Sequence, residues 1–343
     1  MRKSDNYKPW EIDVADFPIT SNIENQIKFL LGFGILAPSG HNSQPWKFKI
    51  YYQNVDIFIE RIRSLEKSDP AGKQLCISIG CLIENIILAA EYFGFAAQVK
   101  YLNDTKGDGP IASIQFSKIE TQINDPNHLI HCIKKRGTNR NKYKLYSLPL
   151  DFNDTIERLS TDQIKITAIN QPQLIQDISD IIIQAQILSM EKPYFRKELS
   201  ELMKPNFTVS KVGMPGFVFN IPLPISIFSS WMIKKLNMSK LNKKQDEKIF
   251  KNFTPAFIII SLKNETKENW MLAGRMFEKV WLIATKFNLK CSPNAAPIQE
   301  DISRQALQKL LNSSFMPITL MRVGYCDKNN QHTPRISVSE LLI

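Results

Sequence analysis

The strongest constraint on this chain is a stretch that it carries twice. Residues 80–93 (GCLIENIILAAEYF) can be set over residues 274–287 (GRMFEKVWLIATKF) without a gap. Gly80 then meets Gly274, Glu84 meets Glu278, Leu88 meets Leu282, Ala90 meets Ala284 and Phe93 meets Phe287. Most other positions exchange one apolar residue for another, at helical spacing. Any two buried amphipathic helices share apolar positions, but the coincident glycine and glutamate favour a true repeat. At 343 residues the length suits two domains or one of double size. Two related halves are therefore expected, each built round a long helix. Glu84 and Glu278 lie inside these helices and read as structural anchors, not as an acid/base pair.

The flanking patterns alternate helix and strand. Residues 22–36 repeat apolar positions at near-helical spacing, and Pro38 ends that run. Trp46, Phe48 and Ile50 alternate with Lys47 and Lys49, which predicts a strand over 46–52; Val55, Ile57 and Ile59 predict another. Asp69-Pro70 reads as a helix start, with Asp as cap and Pro first in the helix, and Gly94 as its stop. Strands are expected over 97–102 and 111–116, with turns over 103–110, and a second helix start at Asp125-Pro126. Further on come helices over 172–190, 269–287 and 301–312, and apolar strands over 256–262 and 317–325. Residues 1–20 read as an irregular arm. The class is α+β, with sheets packed against long helices.

Composition excludes several functions. Hydrophobic content of 43% and charged content of 22% are those of an ordinary globular protein. The net charge of +11 is dispersed, except over 234–251, where Asp246 and Glu247 interrupt it. That run reads as a solvated helix face. No nucleic-acid-binding module accompanies it, so no nucleic-acid partner is expected. The five cysteines form no C-x-x-C pair and read as reduced thiols of a cytoplasmic protein. His128, His131 and Cys132 lack a second ligand pair at structural-site spacing, so no metal is expected. Residues 1–10 lack the apolar core of a signal peptide. The long uncharged run Phe217–Ile233 contains Asn220, Pro222 and Pro224 and is too broken for a membrane span. No G-x-S-x-G, H-E-x-x-H or strand-borne G-x-G-x-x-G occurs, against a hydrolase, a zinc protease or a Rossmann enzyme.

Two motifs carry chemistry. Between the first helix and strand lies Ala37-Pro38-Ser39-Gly40-His41-Asn42-Ser43-Gln44-Pro45-Trp46, rich in donors and acceptors. It reads either as a turn satisfying its own backbone or as the polar edge of a site for a flat ligand. Farther on, Arg136-Gly137-Thr138-Asn139-Arg140 places two guanidiniums round a hydroxyl. That set suits a phosphate, whose oxygens match the Arg fork; the alternative is a basic loop complementing a helix C-terminus.

A-P-S-x-x-N-x-Q-P-W-x-F resembles the flavin-contacting segment of the nitroreductase family. His41-Asn42 and Asp69-Pro70-x-Gly72 resemble its divergent Acg-like branch. Arg136-x-Thr138-x-Arg140 is similar to the family's R-x-[ST]-x-R phosphate motif, though Gly137 replaces an arginine found in many relatives. The resemblance covers residue 22 to the C-terminus. It implies FMN as cofactor, with Pro38, Ser39, Gly40, His41, Asn42, Gln44, Arg136, Thr138 and Arg140 binding it. Cys291–Ile298 is either a plain connecting loop or the family's loop near the flavin N5 edge, offering Asn294, Ala295 and Ala296. Residues 320–325 resemble a late family strand, and Thr333-Pro334-Arg335 its terminal element, in which Arg335 reaches the flavin. No catalytic side chain is singled out.

In ordinary relatives the phosphate motif precedes the turn motif, and the flavin lies between two identical subunits. Here the order is reversed and each motif occurs once. The resemblance therefore implies a pseudo-dimer in one chain that has lost one of its two flavin sites. The N-terminal half, 1–124, would carry the turn motif. The C-terminal half, 125–343, would carry the phosphate motif and a lid-like insertion at about 211–233. The implied activity is hydride transfer from NAD(P)H through FMN to a nitroaromatic, quinone or similar acceptor. The alternative is a flavin-sequestering protein with an occluded site and little turnover. Both donor and acceptor are small molecules, and the chain would act as a monomer or a dimer.

Overall fold

In the computed structural model, which describes residues 5–102, 108–119, 128–237, 239–329 and 331–343, the first helix begins where a polar cap allows it. The Asn22 side chain accepts the Asn25 amide, and α1 runs Ile23–Gly34. The alternating run becomes β1 (Trp46–Tyr51), paired antiparallel with β2 (Asn54–Ile59). After α2 (Lys73–Tyr92), Gly94 at φ 77° turns the chain into β3 (Phe95–Tyr101) and then β4 (Ala112–Lys118). These strands form one sheet in the order β1-β2-β4-β3. Asp69 and Pro70 precede α2 rather than open it. The turn ends at Gly72, φ 73°, from which the helix starts, while Asp69 Oδ2 accepts the Leu75 amide at 2.9 Å. The carboxylate thus caps the helix from outside its first turn.

The second half repeats the plan with more helices: α3 (Ile130–Ile133), α4 (Leu150–Glu157), β5 (Ile164–Ile169), α5 (Pro172–Glu191) and α6 (Pro193–Leu202). The short β6 (Met203–Lys204) and β7 (Met214–Pro215) lead to α7 (Leu223–Lys235) and α8 (Ser239–Asn252). Then come β8 (Ala256–Leu262), α9 (Lys267–Lys286), β9 (Lys290–Pro293), α10 (Ala296–Gln299), α11 (Asp301–Leu310), β10 (Met316–Gly324) and α12 (Val338–Leu341). The second sheet has the order β5-β8-β10-β9. Three further expectations change. Cys291–Pro293 is strand, held by β10, rather than loop. Pro222 and Pro224 do not break α7; they sit at its start, where a missing amide costs nothing. The arm is ordered as two 3₁₀ turns, Asp5–Glu11 and Val14–Asp16. Residues 103–107, the Asp125-Pro126 signal and the boundary at 124/125 lie outside the described residues.

The repeated helices are the centre of the molecule. α2 and α9 cross at their glycines, so closely that a Cβ on Gly80 would lie 2.0 Å from the Met271 carbonyl oxygen, and one on Gly274 would lie 2.2 Å from that of Ile77. One turn on, the two glutamates are fully buried. Glu84 pairs with Arg275 at 2.9 Å and Lys279 at 3.4 Å, and Glu278 with Arg136 at 3.0 Å. The helices also differ where the repeat aligns Cys81 with Arg275: the cysteine borders a cavity, whereas the arginine reaches Glu84 and Tyr101. The C-terminal tail crosses back, and Leu342 bridges to Phe48 beside the first sheet. Among the described residues, Lys73–Tyr92 alone is long and apolar enough to cross a membrane, and most of it is buried in this core.

Candidate functional site

Between the halves lies a cavity of about 850 Å³. Pro38, Ser39, Gly40, His41 and Asn42 border it from the first half; Arg136, Thr138, Arg140, Asn294, Ala295, Ala296 and Arg335 border it from the second. Gln44 is the one expected residue absent from the wall. It is fully buried, its Nε2 donating to the Lys211 carbonyl at 2.7 Å and its Oε1 accepting the Ile336 amide at 2.9 Å. Gln44 braces the turn from behind.

That turn is strained. His41, Asn42 and Gln44 all have positive φ, at 49°, 57° and 51°. Side chains with a Cβ avoid this region unless the surroundings hold them there. Here they do. Ser39 Oγ accepts the Gln44 amide, Arg63 Nε donates to the Gln44 carbonyl, and Asn42 Nδ2 donates to the Gly213 and Pro334 carbonyls, both at 3.0 Å. The His41 ring is thereby held against Phe195, with its buried Nδ1 unpartnered among the described residues. Burial, and then the nearby Arg140, pushes its pKa down to about 4, so the imidazole is neutral at pH 7.

The phosphate-type motif is laid as an extended edge along β9. Thr138 bridges to Cys291, and the Asn139 amide donates to the Cys291 carbonyl at 2.8 Å. Alternation along this edge carries Arg136, Thr138 and Arg140 to one side. The two arginines have different surroundings. Arg136 is buried, paired with Glu278, stacked over Trp281 and donating to the Leu36 carbonyl at 2.5 Å. Arg140 has no carboxylate partner among the described residues; it donates to the Val218 carbonyl at 3.3 Å and lies over Phe219. Burial lowers its pKa to about 10, still leaving it charged at neutral pH.

Arg335 closes the other side. It donates to Asn42 Oδ1 at 2.6 Å and to the Leu36 and Ala37 carbonyls, and its guanidinium lies 4.8 Å from the Trp10 ring centre. Burial, then repulsion from Arg136, brings its pKa down to about 9. Asn294 spends its amide on Leu320 and its side chain on Ser292. The Ala295 and Ala296 amides donate to no acceptor among the described residues. Residues 211–233 border the cavity through Met214, Val218, Phe219, Ile225 and Met232.

Among the wall residues outside the expected set, two bear on the chemistry of the cavity. Arg322 sits in β10, buried over the Tyr143 ring at 4.1 Å, with Nε and Nη1 unpartnered among the described residues. An arginine within an apolar strand is the available signal. Trp10, from the arm, stacks on His332 and donates to the Thr333 carbonyl at 2.8 Å; nothing in its local sequence marks it. Four guanidiniums thus surround the cavity, with Glu278 paired to Arg136 and Asp246 on the wall contributed by α8. Such a balance suits an anionic ligand.

No family model matches the chain. A Mycobacterium tuberculosis protein provisionally named NAD(P)H nitroreductase is 23% identical over 92% of this chain and 90% of its own length. The Serratia sp. protein PigM, of the same provisional name, is 20% identical over 94% and 95%, and the M. tuberculosis protein acg 20% identical over 96% and 97%. Among solved structures, a provisionally assigned nitroreductase of Anabaena variabilis superposes with a TM-score of 0.54 over 95% of this chain and 92% of that one, at 11% identity. The chain thus has a nitroreductase-like fold and is similar over most of its length to proteins provisionally named NAD(P)H nitroreductase.

Proposed function

We propose that the protein is an FMN-binding oxidoreductase of the nitroreductase type. One observation carries the reading: the turn motif of one half and the phosphate motif of the other, far apart in sequence, border the same electropositive cavity. The cavity fits the cofactor chemically. Arg140 is a charged donor without a carboxylate partner among the described residues, Thr138 adds a hydroxyl beside it, and the Ala295 and Ala296 amides are free to donate. Arg140 and Thr138 would hold the phosphate, Arg136 would add a charge already shared with Glu278, and residues 38–42 with Asn294–Ala296 would frame the ring. FMN, when bound, supplies hydride transfer between NAD(P)H and a nitroaromatic, quinone or similar acceptor. The protein's own part is to orient that group, exclude water and keep His41 neutral beside it. The free cysteines, four of them buried, support a cytoplasmic setting.

A second reading has its own support. Residues 211–233 lie along the cavity, and Arg140 is tied to Val218 within them. A site covered this way would hold a flavin yet admit nicotinamide poorly. Anaerobic mixing of the yellow holoprotein with NADPH separates the two. Bleaching of the flavin within seconds supports the oxidoreductase. Bleaching only by dithionite, with NADPH bleaching restored on shortening 213–224, supports the sequestering protein. A protein that purifies colourless and takes up no FMN overturns both.

A further inference from the structure

We infer that α7 is an interfacial helix by which the protein docks on an anionic lipid bilayer. A helix packed for water turns its serines out and its aromatic residues in. α7 does the reverse. Ser226 and Ser229 are 0% and 4% exposed, while Phe228 and Trp231 are 60% and 58% exposed. The serines satisfy themselves inward: Ser226 Oγ donates to the Leu223 carbonyl and accepts the Asn206 amide, and Ser229 Oγ donates to the Ser226 carbonyl.

The outward residues form one face. Ile227 follows Leu223 by four positions, and Trp231 follows Ile227 by four and Phe228 by three, so these residues share one side of the helix, and all are about half exposed or more. Such a continuous apolar face is costly in water and marks a contact surface. Asn206 ties a loop to the start of this helix, and that loop adds exposed Phe207 and Val209.

Charge selects the occupant. Lys234 and Lys235 follow Trp231 by three and four positions, so they rim the same face at its C-terminal end. Neither has a carboxylate partner among the described residues. α8, next in the chain, has exposed Lys244 and Lys248, and the protein carries a net +11. A second copy would bring the same lysines and the same excess charge against their like. An anionic surface complements both the apolar face and its cationic rim, the pairing that holds amphipathic helices in the headgroup region. The inner side of α7 meanwhile lines the cavity through Ser229, Met232 and Ile233, so the bilayer would lie one helix away from it. The inference stands whatever the cavity binds.

Vesicle sedimentation of the full-length protein tests it, with phosphatidylcholine/phosphatidylglycerol vesicles beside pure phosphatidylcholine. Binding should favour the anionic vesicles and weaken with salt. The Phe228→Ser/Trp231→Ser variant should lose it roughly tenfold or more while keeping its thermal midpoint, and Lys234→Glu/Lys235→Glu should weaken it through charge alone. Absence of wild-type sedimentation with anionic vesicles overturns the inference, as does binding unchanged in Phe228→Ser/Trp231→Ser. Concentration-dependent self-association without vesicle binding, lost in that variant, also overturns it and makes the face an interface between copies.

Discussion

Arg136 and Arg140 stand four positions apart in one motif, yet they should behave differently when removed. Arg140 has no carboxylate to satisfy among the described residues, so its truncation should cost ligand rather than fold. Losing one charge-assisted hydrogen bond amounts to about 1.5–3 kcal/mol, or roughly ten- to hundredfold weaker FMN binding. Riboflavin titration is the check, because a flavin without phosphate should be nearly indifferent to Arg140→Ala. Arg136→Ala instead leaves Glu278 buried and unpaired, and should lower unfolding stability by on the order of 3–5 kcal/mol. Denaturant midpoints with and without FMN would separate the two effects. Glu278 has a signature of its own. Burial outweighs the attraction of Arg136 and raises its pKa from 4.5 to about 7. A raised carboxyl binds its proton more tightly folded than unfolded. Its contribution is therefore full below pH 4.5 and is lost as pH rises through 7. Stability curves across that window should fall more steeply for the wild type than for Glu278→Gln, by on the order of 2–3 kcal/mol. Parallel curves would mean that Arg136 keeps the carboxylate ionised throughout.

The helices and strands with a clean period are legible in the sequence; those that depend on a distant neighbour are not. β8 falls on the expected residues 256–262 because every position is apolar or small and buried on both faces. β9 reads as loop in the sequence because Cys291, Ser292 and Pro293 have no period, and only pairing with β10 makes them strand. Gln44 shows the same limit within the site. Its motif marks it as a ligand contact, but the Lys211 carbonyl and Ile336 amide that claim its side chain lie in remote segments. The repeated glycines, by contrast, state a geometric demand in the sequence itself. A backbone oxygen stands only 2.0 Å from where a Cβ on Gly80 would project, so Gly80→Ala or Gly274→Ala must push α2 from α9. Either should destabilise the fold by on the order of 1–3 kcal/mol or more, seen as a lower urea midpoint. A substitution without effect would mean that the crossing is looser than the structure has it.

The site needs both halves, and each supplies a different part. One FMN per chain is the expected stoichiometry, measured by flavin absorbance against protein mass, and two would require a second complete site. The relation between Cys81 and Arg275 bears on why there is one. These residues occupy matching places in the repeat, and one leaves room beside the cavity while the other fills its surroundings with a guanidinium. Two identical subunits could not make that choice. Each codon would be read into both places, so an arginine that secures Glu84 on one side would also stand in the cavity on the other. Joining the halves lets a position and its counterpart mutate separately. One side is then free to specialise in strength while the other keeps its opening, a division of labour closed to any assembly of like chains.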